Sequence, residues 1–525
     1  MAYKTLAHGC GPCKLIVSSS QFSSESPVNN WTAIMANAEG RTIIDCRLSS
    51  CNAQLRSQVL AERKVFMKQV KVRIIDNIHA QAVDGKSLMF IRKNMTITRE
   101  AWRQTKYKKE MHTYPYSLVD KKNGIFLAGF MSRLAFLCEK NDHELIITNP
   151  RNKIVTTRIT PQVPGIIFRE DQTEAVNQAL LEQRGVVVAA TGTGKTILAK
   201  GIINAVFAID PRCRILYLVH NKDICEQIAG EFELSGMEVG RLFGGKKEVK
   251  QKVIVATRQS AANHLKDLCG FDCFIVDEVH HVAKLKSQYT TLLQSLNSPF
   301  RIGLTAKLKS TNEEAVAAVE GLIGKTVFNL SINQARDLKI LAEPKIKLIR
   351  VPYCDNTAEL RTYKDIYQVG IVEYQIRNRL IAREIDAILN QGNSVLVFVT
   401  KIEHGERIQD TVKQMYDRNI TFVHGDTIDE VRNKAKVNLQ AKTKGGSCVI
   451  ASVIWKEGIN IPSLDSIINA GGGKSDEATI QMIGRALRLA EGKTEVTIVD
   501  FLDDNVYLSR HTVKRLHVYV KNNWL

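Results

Sequence analysis

The chain has 525 residues, 44% of them hydrophobic, with a net charge of +19. That length and apolar content suit three or four globular units, each with its own core, and the charge favours a polyanionic partner over an acidic small molecule. No stretch approaches the ~20 uninterrupted apolar residues of a membrane helix. The opening Met-Ala-Tyr-Lys-Thr lacks the layout of a secretion signal, and 11 Cys, mostly within apolar runs, read as reduced thiols. A soluble, cytoplasmic protein is expected, in a host cytoplasm if the chain is viral, with a monomer favoured and no membrane contact.

Residues 1–65 read as an appended module. Cys10-Gly11-Pro12-Cys13 is a knuckle-like pair, and Cys46 and Cys51 could supply the other half of a structural zinc site. Unrelated thiols in a small module are the alternative. Residues 66–160 read as a basic α+β domain. Residues 1–160 hold 25 Lys+Arg against 12 Asp+Glu, a net of +13, which makes this third the expected polyanion grip. Trp102, Tyr107, Tyr114 and Tyr116 alternate with Arg103, Lys106, Lys108 and Lys109. That pattern suits stacking on bases with phosphates neutralised alongside, and equally suits core aromatics beside a solvated lysine run.

Residues 161–335 open a run of alternating strands and helices that implies a parallel sheet covered on both faces. The apolar run 185–188 leads into Ala189-Ala190-Thr191-Gly192-Thr193-Gly194-Lys195-Thr196 and then an amphipathic run, which is strand, phosphate loop and helix. Gly192 and Gly194 let backbone N–H groups of the Thr191–Gly194 turn point at an anion, backed by the helix dipole. Lys195 is placed for the β- and γ-phosphates of ATP and Thr196 for Mg²⁺. Strands are expected at 214–219, 253–256 and 274–276, with a helix at 223–232. The last strand ends in Asp277-Glu278-Val279-His280. At a strand's carboxyl end Asp277 can organise Mg²⁺ and Glu278 can orient and deprotonate a water.

Residues 336–525 repeat the layout without a second phosphate loop: strands at 394–399, 421–423, 448–451 and 466–469, and a helix at 403–415. Gln481-Met482-Ile483-Gly484-Arg485-Ala486-Leu487-Arg488 follows. Arg485 and Arg488, three apart on one helix face, could neutralise phosphate charge from the second unit, as arginine fingers do.

These motifs together resemble superfamily 2 helicases and translocases over residues 168–500. The resemblance implies two tandem RecA-like parallel-sheet lobes preceded by a small α+β amino-terminal domain. It implies that Gln172 and Arg169, in Phe168-Arg169-Glu170-Asp171-Gln172, bind adenine, and that Gly458 and Gln481 face the nucleotide. It also places His220, Thr257, Gln259 and His404 at nucleic acid and makes His280 and Thr305 couple hydrolysis to lobe movement. Asn460 stands where Asp is commoner in the fifth motif. The segments 398–405 and 363–379 narrow the likeness to the branch of transcription-repair helicases, type III restriction translocases and phage fork-remodelling helicases. The implied activity is an ATP- and Mg²⁺-dependent helicase or translocase acting on branched or duplex DNA. An RNA helicase or transcript-releasing translocase, and a non-hydrolysing nucleic-acid-binding scaffold, are the other two readings.

Overall fold

A computed structural model describes residues 68–525 apart from 105–108, 152, 283, 309–311, 442–444, 453–460, 462, 474–481, 485 and 491–492. Of residues 1–67 it describes only the backbone of four strands, and it leaves out the side chains of Trp102, Arg103, Lys109, Asp429 and Val506. Those four strands, Lys4–Leu6, Cys13–Val17, Thr32–Ala36 and Thr42–Arg47, form an antiparallel meander. The zinc expectation rests on side chains outside the described residues.

The next unit is a mixed sheet in the order His143–Thr148, Lys68–Ile74, His79–Ala82, Ile125–Leu127. Only its first pair is parallel. Along Lys68–Ile74 burial alternates, so Val70, Val72 and Ile74 point inward while Lys71 and Arg73 face solvent. The helices Gly85–Asn94 and Met131–Lys140 complete it, the first capped by the Asp84 carboxylate accepting from Ser87 N–H at 2.8 Å. An antiparallel hairpin, Thr96–Gln104 with Lys109–Ser117, rises from this unit and carries the interleaved aromatic and basic residues. At its root Arg99 lies 4.5 Å over the Tyr116 ring, while the lysine run at 106–109 lies outside the described side chains.

Lobe 1 is an eight-stranded sheet in the order Lys246–Lys247, Val239–Phe243, Val253–Thr257, Ile215–Val219, Cys273–Val276, Phe300–Thr305, Arg184–Ala189, Thr326–Leu330. All neighbours are parallel except the first pair. Lobe 2 is a fully parallel sheet in the order Glu343–Arg350, Glu495–Leu502, Ser466–Asn469, Ser394–Phe398, Ser447–Ala451, Thr421–Val423. Central strands such as Ile215–Val219 and Ser394–Phe398 are buried throughout because helices cover both faces. The α/β class with tandem parallel-sheet lobes is thus present.

One core runs without a break from the amino-terminal sheet (Val70, Phe126, Phe130, Leu134) into one face of lobe 1 (Val186, Leu218, Phe274, Leu322). Packing there is close enough to need glycine. A Cβ on Gly129 would lie 2.1 Å from the Glu320 carbonyl oxygen. Another core, centred in lobe 2, takes in Ala190 at the start of the phosphate loop together with Leu341 and Leu487. Among the described residues no helix is long and apolar enough to cross a membrane.

Candidate active site

The chemistry-bearing residues collect at the carboxyl edge of lobe 1's sheet, where parallel strands open into a crevice. Strand Arg184–Ala189 turns through Gly192 (φ +91°) and Gly194 (φ +97°) into helix Lys195–Ile209. Those angles are left-handed, which glycine adopts without strain. The helix starts at Gly194 with no side-chain cap, so its first N–H groups are available to an anion. Thr193 is buried and braces the turn, its hydroxyl donating to the Ala190 carbonyl at 2.8 Å.

Strand Cys273–Val276 ends at Asp277, whose N–H donates to the Leu218 carbonyl at 2.9 Å. Glu278 follows at φ +47°, a left-handed conformation that costs a non-glycine residue about 1–3 kcal/mol and is retained where function needs it. Its carboxylate is 3.3 Å from Lys195 Nζ and 3.3 Å from His280 Nδ1. The Thr305 hydroxyl, at the end of strand Phe300–Thr305, lies 3.3 Å from the same carboxylate and 3.0 Å from His280 Nδ1. His280 also stacks on His281, which stacks on His220, with ring centroids 4.4 and 4.3 Å apart. Burial and the adjacent Glu278 carboxylate push the Asp277 pKa up. Burial acts on Glu278 in the same sense, but Lys195 and His280 outweigh it and hold Glu278 well below the usual carboxylate range. One carboxylate of the pair is therefore firmly ionised beside the loop lysine.

Arg169 and Gln172 meet behind the phosphate loop. Both donate to the Thr193 carbonyl, at 2.8 and 3.1 Å, and Arg169 also forms a two-pronged pair with Asp171. Gln172 is 2% exposed, and its amide oxygen accepts from the Arg169 backbone N–H. The Gln172 amide thus braces the loop, giving one of its two N–H groups to Thr193.

Lobe 2 closes the crevice from the opposite side. Residues 482–484 and 486 are helical, and the chain then leaves the helix as Ala342 N–H donates to the Leu487 carbonyl at 2.7 Å and Leu341 bridges Arg488. Arg488 is therefore past the helix end rather than on its face, a correction to the spacing argument. The segment lies on the phosphate loop itself. A Cβ on Gly192 would meet Arg488 Cγ at 3.1 Å and the Gly484 carbonyl oxygen at 3.2 Å, and one on Gly484 would meet Thr191 Cβ at 2.7 Å. Burial lowers the pKa of Arg488. Arg485, Gly458 and Gln481 lie outside the described residues.

The expected nucleic-acid contacts divide. His220 and Gln259 stand at the carboxyl edge of the sheet, Gln259 exposed. Thr257 is buried, its hydroxyl capping helix Arg258–Asn263 through Ser260. His404 is a correction: it is fully buried, with Nε2 3.1 Å from Asn378 Oδ1, because it faces the core from the first turn of helix Ile402–Tyr416. Lys106 and Lys108 lie outside the described residues, and Arg103 and Lys109 have only their backbone described. The sequence reading did not single out Gly244–Lys247, which follows strand Val239–Phe243 beside Val253–Thr257 and pairs Lys246 with Glu226 and Lys247 with Asp267. The Gly-Gly pair before two lysines was the available signal.

A phosphate loop on one parallel sheet, met by an arginine-bearing segment of a second, is the layout of a two-lobed nucleotide-driven motor. Residues 165–310 match the type III restriction enzyme res subunit family and residues 378–490 the helicase conserved C-terminal domain. The chain belongs to superfamily 2, the helicases and translocases. It is 26% identical over 344 residues to "ATP-dependent DNA helicase uvsW" of Enterobacteria phage T4, a match spanning 63% of this chain and 68% of that one. It is 25% identical over 437 residues to "Probable helicase D10" of Escherichia phage T5, spanning 80% and 90%. A fragment assigned as the HsdR subunit of a type I restriction enzyme from Vibrio vulnificus YJ016 aligns over 94% of this chain and 87% of its own, with TM-score 0.52 and 15% identity, a likeness of fold alone.

Proposed function

We propose that this superfamily 2 enzyme is an ATP-driven motor that moves on DNA and remodels branched structures, by unwinding, annealing or branch migration. The carrying observation is the seating of Gly484 and Arg488 on the turn formed by Thr191 and Gly192. One bound triphosphate would then touch both lobes, and its hydrolysis would change how they sit together. In this reading Lys195 holds the β- and γ-phosphates, Glu278 orients and deprotonates the attacking water, and Arg488, with Arg485, neutralises charge on the γ-phosphate. Arg169 lies beside the adenine, and Gln172 is a positioning residue that acts through Thr193. Thr196 and Asp277 fit Mg²⁺, which when bound would neutralise charge on the phosphates. His280 and Thr305 carry the state of Glu278 to the end of a central strand.

The DNA track is supported by the phage T4 relative's being named an ATP-dependent DNA helicase and by the basic amino-terminal third. ATP turnover measured with single-stranded DNA, single-stranded RNA and a synthetic fork tests it. The fork should stimulate most, and stimulation by RNA alone would assign the motor to RNA. Lys195→Ala should abolish turnover. An unchanged rate would show that ATP is hydrolysed elsewhere.

A further inference from the structure

We propose that a groove at the root of the amino-terminal hairpin binds the sugar-phosphate backbone of one DNA strand. This rests on the reading that the chain runs on DNA. The groove measures about 480 Å³ and lies between helix Gly85–Asn94 and the paired strand ends near Thr96 and Ser117. Three cations line it, Arg92, Lys93 and Lys121, and no carboxylate does. All three are exposed, and among the described residues none has an ion-pair partner. Two acids that precede these segments cap the local turns. Asp84 accepts from Ser87 N–H, and Asp120 from the N–H groups of Lys122 and Asn123.

Leu88, Met89 and Pro115 line the groove beside the cations, Met89 71% exposed. Three cations along an open groove match a strand whose phosphates meet the charges in turn while its sugars lie against the apolar side chains between them. A small anion would satisfy one cation and leave the others unpaired. The helix end that carries Arg92 and Lys93 is fixed, since Thr96 donates its hydroxyl to the Arg92 carbonyl at 3.0 Å. Two residues further on, the Thr98 N–H donates to Glu313 at 2.6 Å and Arg99 pairs with Glu314 at 2.8 Å. A strand lying in the groove is therefore tied in register to lobe 1.

The test is the affinity of the full chain for a fluorescent synthetic fork, followed by anisotropy from 50 to 200 mM salt, a range over which phosphate contacts dominate the change in affinity. The variant R92Q/K93Q/K121Q should bind the fork more weakly, and the slope of log affinity against log salt should fall by about 2–3, the release expected for three lost phosphate contacts. The charge-preserving variant R92K/K93R/K121R should keep wild-type affinity and slope. Wild-type affinity and slope in the glutamine variant would overturn the proposal, as would equal loss in both variants. Should the wild-type chain itself fail to bind the fork, the DNA reading falls first and takes this inference with it.

Discussion

At the scale of single residues, the active site is an ion pair and its braces. Lys195 and Glu278 compensate each other across 3.3 Å, with His280 and Thr305 on the carboxylate's far side. Glu278→Gln keeps the shape and hydrogen-bonding reach but removes the base. Hydrolysis should fall by about 10²–10⁴-fold, the usual worth of a positioned general base, while a fluorescent ATP analogue binds within a few-fold of wild type. Equal loss of binding and turnover would make Glu278 structural instead. His404 gives a second prediction. Asn378 donates its amide N–H to the Val372 carbonyl, so its oxygen accepts from His404 Nε2–H. The remaining ring nitrogen, Nδ1, is buried with no hydrogen-bond partner among the described residues. Burial, then Arg377 and Arg407, push the His404 pKa well below its ordinary value. The unfolded chain therefore binds a proton near pH 6.5 that the folded chain refuses, so stability is lost as pH falls below about 6.5, by at most ~1.4 kcal/mol per pH unit. Thermal midpoints between pH 5 and 7.5 should show this, and His404→Gln should flatten the dependence by one proton. An unaltered slope would assign the acid sensitivity to another group.

At the scale of elements, the phosphate loop and the segment that meets it must approach more closely than side chains allow. Gly484→Ala places a methyl group 2.7 Å from Thr191 Cβ, so the two lobes must part by about 1 Å to restore an ordinary carbon–carbon contact. ATP binding, which relies on lobe 1, should stay within a few-fold. Turnover should fall by about 10²-fold, the penalty typical of a misplacement near 1 Å, and a wild-type turnover number would show that the contact is idle. Much of this architecture was legible in the sequence. Strands Thr421–Val423 and Ser466–Asn469 are as read, and Ser394–Phe398 and Ser447–Ala451 differ by one residue, because buried parallel strands are continuous apolar runs between turn signals. Val239–Phe243 and Phe300–Thr305 were less legible, since Gly240, Arg241, Arg301 and Gly303 interrupt the apolar pattern. Arg301 is fully buried and donates to the Leu293, Leu296 and Leu322 carbonyls, a tertiary partnership that no local pattern encodes. The same holds for Gln172 and His404, whose motifs were recognisable but whose partners, Thr193 and Asn378, are 21 and 26 residues away.

At the scale of the whole molecule, the distribution of cores says which parts move together. The amino-terminal mixed sheet shares a continuous core with lobe 1, reinforced by Arg99 on Glu314, Arg133 on Glu320, and the Asn77 N–H on the Asn297 side chain at 3.0 Å. Lobe 2 meets lobe 1 through a narrower set, Ala190 and the strand-to-helix connection around Leu330 and Leu341. Nucleotide turnover should therefore move lobe 2 against a single body made of lobe 1 and the amino-terminal domain. With dyes on Lys140 and Lys222, inter-dye distance should stay constant between nucleotide-free and ATP-analogue states, whereas a pair on Lys222 and Lys413 should change. A shift in the first pair as large as in the second would refute the single-body picture. Arg99→Met probes the joint. It leaves the Glu314 carboxylate, 7% exposed, without its cation, a loss on the order of 3 kcal/mol for a buried pair broken on one side. Fork remodelling per ATP hydrolysed should drop in that variant, and constancy of the first dye distance should be lost with it. If remodelling per ATP falls while that distance holds steady, the joint transmits force through the shared apolar core and Arg99 serves only the hairpin beside it.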